Sequence, residues 1–358
     1  MKERINYLDR LKGIAILLVV FCHMEMLAYD SIAGNVIMSV SWCAVPCFFM
    51  VTGGLMNSSR EFVFKKYFKR LLTTYLVLIF WKIVYLSVTM AVAPVELHFN
   101  EVFTNLFFFG SINGVNSGVM WFMDAYLATL IIYPISYYLL NTSRQTRTVL
   151  LFTMIVAFVG GIAVNSVNLI LEVIARLIGC EPLQITGINS IIPYGTCKNT
   201  LFFYLLGAFF FRYRDRIQGC LTEKKIRKII PALIFLCGIA GMLLIKYHQA
   251  KTFRWQGFFT ENGYSFISTV FLSVGLYLVA QLYLSRGKMP ILELTGKCTL
   301  GIYYIHYIML WVVLELGIVD PQYYSIFTNT IKTVVITAIC VGVTVVVRKI
   351  PVLKHIVQ

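Results

Sequence analysis

Residues 11–30 read LKGIAILLVVFCHMEMLAYD, and this first hydrophobic segment indicates both the fold class and a possible chemistry. A helix needs about 20 apolar residues to cross a hydrocarbon core of ~30 Å. Lys12 and His23 are eleven residues apart, so on a helix their side chains lie ~20° apart around the axis and ~16 Å apart along it. We therefore predict a cation at one membrane boundary and, on the same helix face, a titratable ring near the bilayer centre.

Apolar runs of similar length recur along all 358 residues, of which 59% are hydrophobic and only 13% charged. A soluble domain of this size fills its core with far fewer apolar residues. An outer-membrane barrel is excluded because its strands would be short and would alternate apolar with polar residues. We predict a single all-α membrane domain, residues 1–358, built as a bundle of about ten transmembrane helices. The predicted spans are 11–30, 35–56, 72–93, 119–140, 148–168, 199–212, 229–247, 264–284, 298–316 and 326–347.

Two of the segments between spans carry predictions of their own. The basic, aromatic stretch 62–72 is expected to lie on the membrane surface, with its cations at lipid phosphates. The stretch 165–198 contains Pro182, Pro193 and several glycines, and it is a candidate for partial re-entry into the membrane.

The net charge of +15 follows from membrane topology rather than from nucleic-acid binding. With the N-terminus inside, 24 of the 31 Lys and Arg residues fall in cytoplasmic segments. The outer loop 94–118 has no Lys or Arg. This is the positive-inside bias, and it places both termini in the cytoplasm.

Ionisable side chains inside a membrane are costly, so each one is a candidate functional residue. His23, Lys82 and His306 lie at similar predicted depths, roughly 13–16 Å from the cytoplasmic boundary at ~1.5 Å per residue. We expect these three side chains, from spans one, three and nine, to meet at one level. Glu25 faces ~200° away from His23 around the helix, and Asp124 enters from the outer side.

Each of these residues also has a structural interpretation. A single intramembrane histidine often bonds a neighbouring helix. Lys82 is a possible ion-pair partner of Glu25 or Asp124, Lys12 of Asp9 three residues earlier, and Lys12 alone is a typical interfacial anchor. The coincidence of one face, one depth and three spans favours the functional interpretation.

The nine cysteines lie mostly singly in apolar spans, where cysteine behaves as a small hydrophobic residue. Cys43 and Cys47 share a helical face but lack the further ligands of a metal site, so no metal is predicted. A disulfide between Cys180 and Cys197 remains open.

Several motifs in order resemble the acyltransferase family 3 of membrane proteins, whose first helix carries an Arg or Lys, ten residues, and then a His. The matching blocks are 7–23 (YLDRLKGIAILLVVFCH), 46–53 (PCFFMVTG), 69–72 (KRLL), 121–123 (WFM), 206–208 (LGA) and 296–306 (GKCTLGIYYIH). Lys12 stands where the family more often has Arg, which keeps the charge but loses bidentate phosphate geometry. Arg10 stands where glycine is usual.

The resemblance implies transfer of an acyl group, usually acetyl, from cytoplasmic acetyl-CoA to a hydroxyl of an extracytoplasmic or lipid-linked carbohydrate. It places the protein in the inner membrane of a bacterium, with membrane lipid around it. The implied donor-binding cations are Lys12, Lys66, Lys69 and Arg70. His23 is the implied general base or acyl carrier. Possible supporting residues are Asp9, Arg10, Glu25, Lys82, Trp121, Asp124, Tyr304 and His306.

Two other functional classes stay open on the sequence. A secondary transporter also uses intramembrane His, Lys and Asp side chains as proton relays, although the sequence lacks paired Gly/Pro-broken helices in two halves. A non-catalytic envelope scaffold would tolerate replacement of every buried titratable residue.

Overall fold

The computed structural model describes residues 5–24, 32–59, 61–92, 95–108, 110, 112, 120–186, 198–252, 263–315, 325–351 and 353–357. Every regular element in these ranges is helical. The α-helices are α1 Asn6–His23, α2 Ile32–Ser41, α3 Ala44–Asn57, α4 Phe64–Val92, α5 Phe99–Phe108, α6 Trp121–Asn141, α7 Arg144–Phe158, α8 Val164–Ile178, α9 Lys198–Arg212, α10 Arg214–Thr222, α11 Ile230–Lys251, α12 Ile267–Tyr283, α13 Pro290–Lys297, α14 Thr299–Glu315 and α15 Ile326–Lys349. Short 3-10 turns cover Lys225–Ile229, Gly263–Ser265 and Leu353–Val357, and a π-helical turn, Val159–Ala163, joins α7 to α8.

The all-α prediction is confirmed, and each of the ten predicted spans overlaps a helix. Within the described residues, six helices are long and apolar enough to cross a membrane. These are Ile32–Asn57, Phe64–Val92, Trp121–Asn141, Arg144–Ile178, Lys225–Lys251 and Ile326–Lys349. Two shorter apolar helices, Ile267–Tyr283 and Thr299–Val313, accompany them.

The structure adds local detail to three of the predicted segments. The predicted span 35–56 lies within the candidate membrane span Ile32–Asn57, and a break at Trp42 and Cys43 divides it into α2 and α3. Pro46 follows in the first turn of α3, where its missing N–H removes no helical hydrogen bond. In the stretch 62–72, residues from Phe64 onward form the first turns of the continuous helix α4. In the stretch 165–198, residues up to Ile178 continue the helix that begins at Arg144 and passes through the π-helical turn, while residues 187–197 lie outside the described residues.

Helix α1 lies at the centre of the bundle and contacts α2, α3, α12, α13, α14 and α15. Leu11, Ala15, Ile16 and Val20 on this helix are completely buried. One continuous hydrophobic core extends from the start of α1 to the final 3-10 turn.

Glycines in the motif blocks allow close helix contacts. A Cβ at Gly296 would collide with the Asp9 carbonyl, and one at Gly53 would collide with the Tyr204 carbonyl. Small residues permit this backbone approach between membrane helices, where packing replaces the hydrophobic driving force. The first contact holds α13 against α1 and so fixes the position of Lys12.

Arg10 anchors the start of α1. Its side chain is completely buried, bonds Glu293 through Nε at 3.0 Å and Nη2 at 2.6 Å, and donates to three carbonyls in the segment 284–287. Such a set satisfies all the guanidinium donors. Arg10 therefore joins α1 to α13 and to the preceding loop.

Candidate active site

A cavity of about 570 Å³ lies between α1, α3, α4, α6, α14 and α15, at the end of the bundle that carries the start of α1. We call it the basic cavity because of the charged side chains that line it. These are Lys12, Lys66, Lys69, Arg70, Lys297 and Arg348, together with His355. Among the described residues that line it there is no Asp or Glu. A cleft lined by charges of one sign raises the local concentration of ligands of the opposite sign.

Neighbouring groups hold several of these cations in place. Lys12 Nζ lies 2.8 Å from the Asp9 carboxylate, which is the structural partner anticipated from their spacing. Arg70 donates to the Tyr126 hydroxyl at 2.5 Å. Lys12 is thus both an ion-pair member and a cavity residue, and the two interpretations of it are compatible.

A second cavity of about 250 Å³ contains both predicted intramembrane histidines, and we call it the histidine cavity. Its lining comes from α1, from the α2–α3 junction, from α6 and α14, and from the turn before α12. The lining residues are Val19, Cys22, His23, Ser41, Trp42, Val45, Phe48, Trp121, Phe122, Tyr264, Tyr303 and His306. The walls are therefore mainly aromatic, with few polar groups, as is usual for small-molecule sites.

His23 and His306 lie side by side, with 5.4 Å between ring centroids. Tyr307 packs edge-on against His23 at 5.6 Å. His306 is completely buried, and its Nδ1 lies 3.0 Å from the Ile302 carbonyl. Because a carbonyl only accepts, Nδ1–H is the donor, and in the neutral ring Nε2 keeps its lone pair. Within the described residues this Nε2 has no hydrogen-bond partner.

The two cavities share three lining residues, Phe48, Phe122 and Tyr303, which we call the aromatic constriction. Phe122 lies 5.8 Å from Phe48 and 5.3 Å from Tyr303, measured between ring centroids. On α1, Lys12 faces the basic cavity and His23 faces the histidine cavity. The helical face predicted from the eleven-residue spacing therefore borders both spaces in succession.

Lys82 does not lie with the two histidines. Its Nζ donates to the Asn105 carbonyl at 2.9 Å and is 3.8 Å from Asp124 Oδ1, and neither Lys82 nor Asp124 is among the described residues that line the two cavities. The predicted meeting of three titratable groups is thus reduced to a histidine pair. Equal depth did not bring Lys82 there, because its side chain points to α5 and α6.

The remaining predicted residues have different surroundings. Trp121 lines the histidine cavity and is 43% exposed, so it borders both the cavity and the surface. Tyr304 lies behind the site, stacked on Trp81 with 4.8 Å between ring centroids. Arg10 serves the anchor described above. Glu25 and Cys197 lie outside the described residues, so the alternatives that involve them stay open.

Sequence reasoning did not select Lys297, Arg348 and His355, which also line the basic cavity, although the positive-inside pattern had already assigned the first two to the same side as Lys12. It also did not select Trp42 and Tyr264 of the histidine cavity. Their positions depend on the α2–α3 break and on the turn before α12, and no motif marks either.

Compared with protein-family models, residues 5–349 match one described as an acyltransferase domain, the same acyltransferase family 3 that the motifs resemble. Parallel comparisons with curated proteins and with solved structures give no match. The matched range contains every residue that lines the two cavities except His355.

Proposed function

The chain belongs to the acyltransferase family 3, and from this premise we propose that it is an integral-membrane O-acyltransferase. In this proposal it takes an acetyl group from cytoplasmic acetyl-CoA and transfers it to a hydroxyl of an extracytoplasmic or lipid-linked carbohydrate of the cell envelope. One observation carries the proposal: a cavity lined by six Lys and Arg side chains adjoins, at the aromatic constriction, a cavity that contains His23.

The basic cavity suits the donor. Coenzyme A carries several phosphate charges at one end and a thin, uncharged arm that ends in the thioester. Lys and Arg form strong charge-assisted hydrogen bonds with phosphate oxygens. Among the described lining residues there is no carboxylate, so five of the six cations have no acidic group beside them in the lining, while Lys12 is paired with Asp9. We assign the phosphates to this cavity, with the arm directed through the aromatic constriction.

The histidine cavity suits the reaction. We assign His23 as the general base that takes the proton of the acceptor hydroxyl while the oxygen attacks the thioester carbonyl. A carbon–oxygen bond forms, the carbon–sulfur bond breaks, and the departing sulfur takes the proton from His23, which releases free coenzyme A. His306 is a positioning residue that keeps the His23 ring at the reacting centre. In a second route consistent with the same residues, His23 first accepts the acetyl group itself.

The membrane arrangement is part of the proposal. Ten spans with both termini in the cytoplasm place the basic cavity on the cytoplasmic side, where acetyl-CoA is present. The histidine cavity then faces the outer half of the membrane, and partly exposed Trp121 at its rim offers a flat apolar surface to a sugar ring. The localisation that fits is the inner membrane of a bacterium.

The test is transfer of radiolabelled acetyl from acetyl-CoA to envelope carbohydrate in membrane vesicles containing the protein. We expect His23→Ala to reduce the rate at least ~100-fold, the usual minimum contribution of a general base. The matched control is His98→Ala, because His98 is exposed in the segment 95–98 and lies outside the described linings of both cavities. Undiminished transfer in a correctly inserted His23→Ala protein would remove His23 from the mechanism.

A binding measurement separates this function from the transporter alternative. Coenzyme A should raise the thermal unfolding temperature of the purified protein in detergent, since a ligand that binds only the folded state stabilises it. A transporter for a sugar or ion has no reason to respond to coenzyme A. Stabilisation by a solute with no effect of coenzyme A would favour the transporter.

A further inference from the structure

The chain folds back under the bundle after α15. Helix α15 ends at Lys349, and the 3-10 turn Leu353–Val357, which we call the C-terminal turn, follows Pro351. The turn packs against α4, α14 and α15. The family match ends at residue 349, so the C-terminal turn is a feature of this chain that the family relationship does not explain.

Two side chains from the bundle fix the backbone of this turn. Trp81 of α4 donates its indole N–H to the Ile356 carbonyl at 2.8 Å. Arg348 of α15 donates through Nη2 to the Val357 carbonyl at 3.1 Å and to the Lys297 carbonyl at 2.8 Å. Val357 itself is 1% exposed. The turn is thus docked by hydrogen bonds and by apolar burial.

This docking places His355 in the wall of the basic cavity. Its ring is exposed there, while Ile356 and Val357 turn inward to the core. Among the described residues, the charged side chains that line the same cavity are all cationic: Lys12, Lys66, Lys69, Arg70, Lys297 and Arg348. An imidazole always carries at least one N–H, so it can donate to a phosphate oxygen at any pH.

The turn also contacts the aromatic constriction indirectly. Trp81, which bonds Ile356, stacks on Tyr304 with 4.8 Å between centroids and an interplanar angle of 5°. Tyr304 precedes Ile305 on α14 and follows Tyr303, a member of the constriction. Trp81 therefore contacts both the C-terminal turn and α14, the helix that carries Tyr303 of the aromatic constriction.

We propose that the C-terminal turn is a wall of the acyl-donor site and that His355 binds a phosphate group of coenzyme A. This inference rests on the proposed function, because it assigns a further residue to the same donor. Trp81 and Arg348 act as positioning residues for the turn. The ligand chemistry is a phosphate-bearing end of the donor, and the uncharged arm makes no contact with His355.

Coenzyme A binding to the full chain in detergent tests this proposal, with pantetheine as a phosphate-free probe. Loss of one hydrogen bond to a charged phosphate should weaken coenzyme A binding of His355→Ala about tenfold. Binding of pantetheine should be unchanged. His98→Ala again serves as the matched control and should bind both probes normally. Equal coenzyme A affinity in His355→Ala and the native protein would overturn the proposal, as would equal weakening for both probes.

Two further variants test the docking of the turn. A chain ending at Ile350 should lose at least as much coenzyme A affinity as His355→Ala. Trp81→Phe keeps an aromatic ring against Tyr304 but removes the indole N–H, and it should weaken coenzyme A selectively over pantetheine. If the native protein itself fails to bind coenzyme A, both the proposed function and this inference fail. If the native protein binds coenzyme A but His355→Ala binds it equally well, only this inference fails and the proposed function stands.

Discussion

Two pairs of titratable side chains lie within this bundle, and they differ in charge and in whether they line a cavity. In the first pair, Lys82 donates to the Asn105 carbonyl and has the Asp124 carboxylate at 3.8 Å. In the second pair, His306 uses only Nδ1, and its Nε2 has no hydrogen-bond partner in the described part of the chain. Lys82 is 4% exposed and His306 is completely buried, so burial alone does not separate them.

The difference shows how to recognise a functional group inside a membrane. The lysine has an opposite charge beside it, and the pair joins α4 to α6, which is a structural task. The histidines border a cavity, whereas Lys82 and Asp124 do not line one in the described part of the chain, although both His306 Nε2 and Asp124 Oδ1 lack a hydrogen-bond partner there. A polar group in lipid is costly and requires an explanation. Depth in the membrane is similar for Lys82 and the histidines, so the adjoining cavity is the feature that favours the functional over the structural interpretation for the histidines.

The largest effect on stability should come from breaking the first pair on one side. Asp124→Leu leaves the buried ammonium of Lys82 without its carboxylate; because the Asp124 side chain is 33% exposed and 3.8 Å away, the loss should be smaller than the ~3–5 kcal/mol typical of a fully buried pair. The double variant Lys82→Met/Asp124→Leu should recover most of this loss, because no unpaired charge remains. Thermal unfolding in detergent measures both. A double variant as unstable as the single one would show that the pair is not the reason for the loss.

The same double variant sharpens the comparison when its activity is measured. Since neither residue belongs to the described cavity linings, acetyl transfer by the folded double variant should stay within about threefold of the native rate, a difference of ~0.7 kcal/mol in activation free energy. If the rate of acetyl transfer falls by several orders of magnitude while stability is normal, Lys82 and Asp124 take part in the reaction.

Removal of His306 should reduce activity, whereas the Lys82→Met/Asp124→Leu variant should keep it. We expect His306→Ala to lower kcat for acetyl transfer about 100-fold, or ~2.7 kcal/mol, because His23 loses the neighbour that positions it. The KM for acetyl-CoA should not change, since the proposed function assigns the donor phosphates to the other cavity. A parallel rise in KM, or a loss of folded protein alone, would indicate a purely structural role.

A smaller effect on kinetics is expected from a substitution in the basic cavity. Lys12→Ala should raise the KM for acetyl-CoA about tenfold, equivalent to ~1.4 kcal/mol, with little change in kcat. Lys225→Ala is the matched control, because Lys225 is an exposed lysine outside the described lining of the basic cavity. If both variants raise KM equally, the effect is one of general surface charge and not of the basic cavity.

The sequence predicted the helices well because lipid imposes a simple rule on length and polarity. It did not predict the break at Trp42 and Cys43, although Pro46 nearby is a signal for a new helix start. The reason is that a continuous apolar run of membrane-spanning length has the same hydropathy whether or not the helix is interrupted within it. The consequence is large, since the break brings Ser41, Trp42 and Val45 into the histidine cavity.

Helix periodicity predicted the placement of His23 and Lys12 on one face, because both lie on a single element. It could not predict which neighbours face each other across helices. Lys82 and His306 have similar depths, yet only the rotation of α4 about its axis decides that Lys82 meets Asp124. The docking of the C-terminal turn depends on single hydrogen bonds from Trp81 and Arg348, and no periodic pattern reports such contacts.

The smallest predicted effect concerns a third ion pair, Arg10 with Glu293, which lies outside the candidate membrane spans. The hydrogen bond from Arg10 holds the pKa of Glu293 below its usual value. Because the folded state favours the ionised carboxyl, the pair stabilises the protein above the unfolded pKa of ~4.3. That stabilisation is lost as the pH falls through the lower pKa of the folded state.

Glu293→Gln should therefore show a shallower decline of the unfolding temperature below about pH 4.3 than the native protein. The control Glu96→Gln, at an exposed glutamate, should follow the native curve. If the unfolding temperatures of the native and Glu293→Gln proteins decline identically at acidic pH, the hydrogen bonds from Arg10 to the three carbonyls alone hold α1 in place.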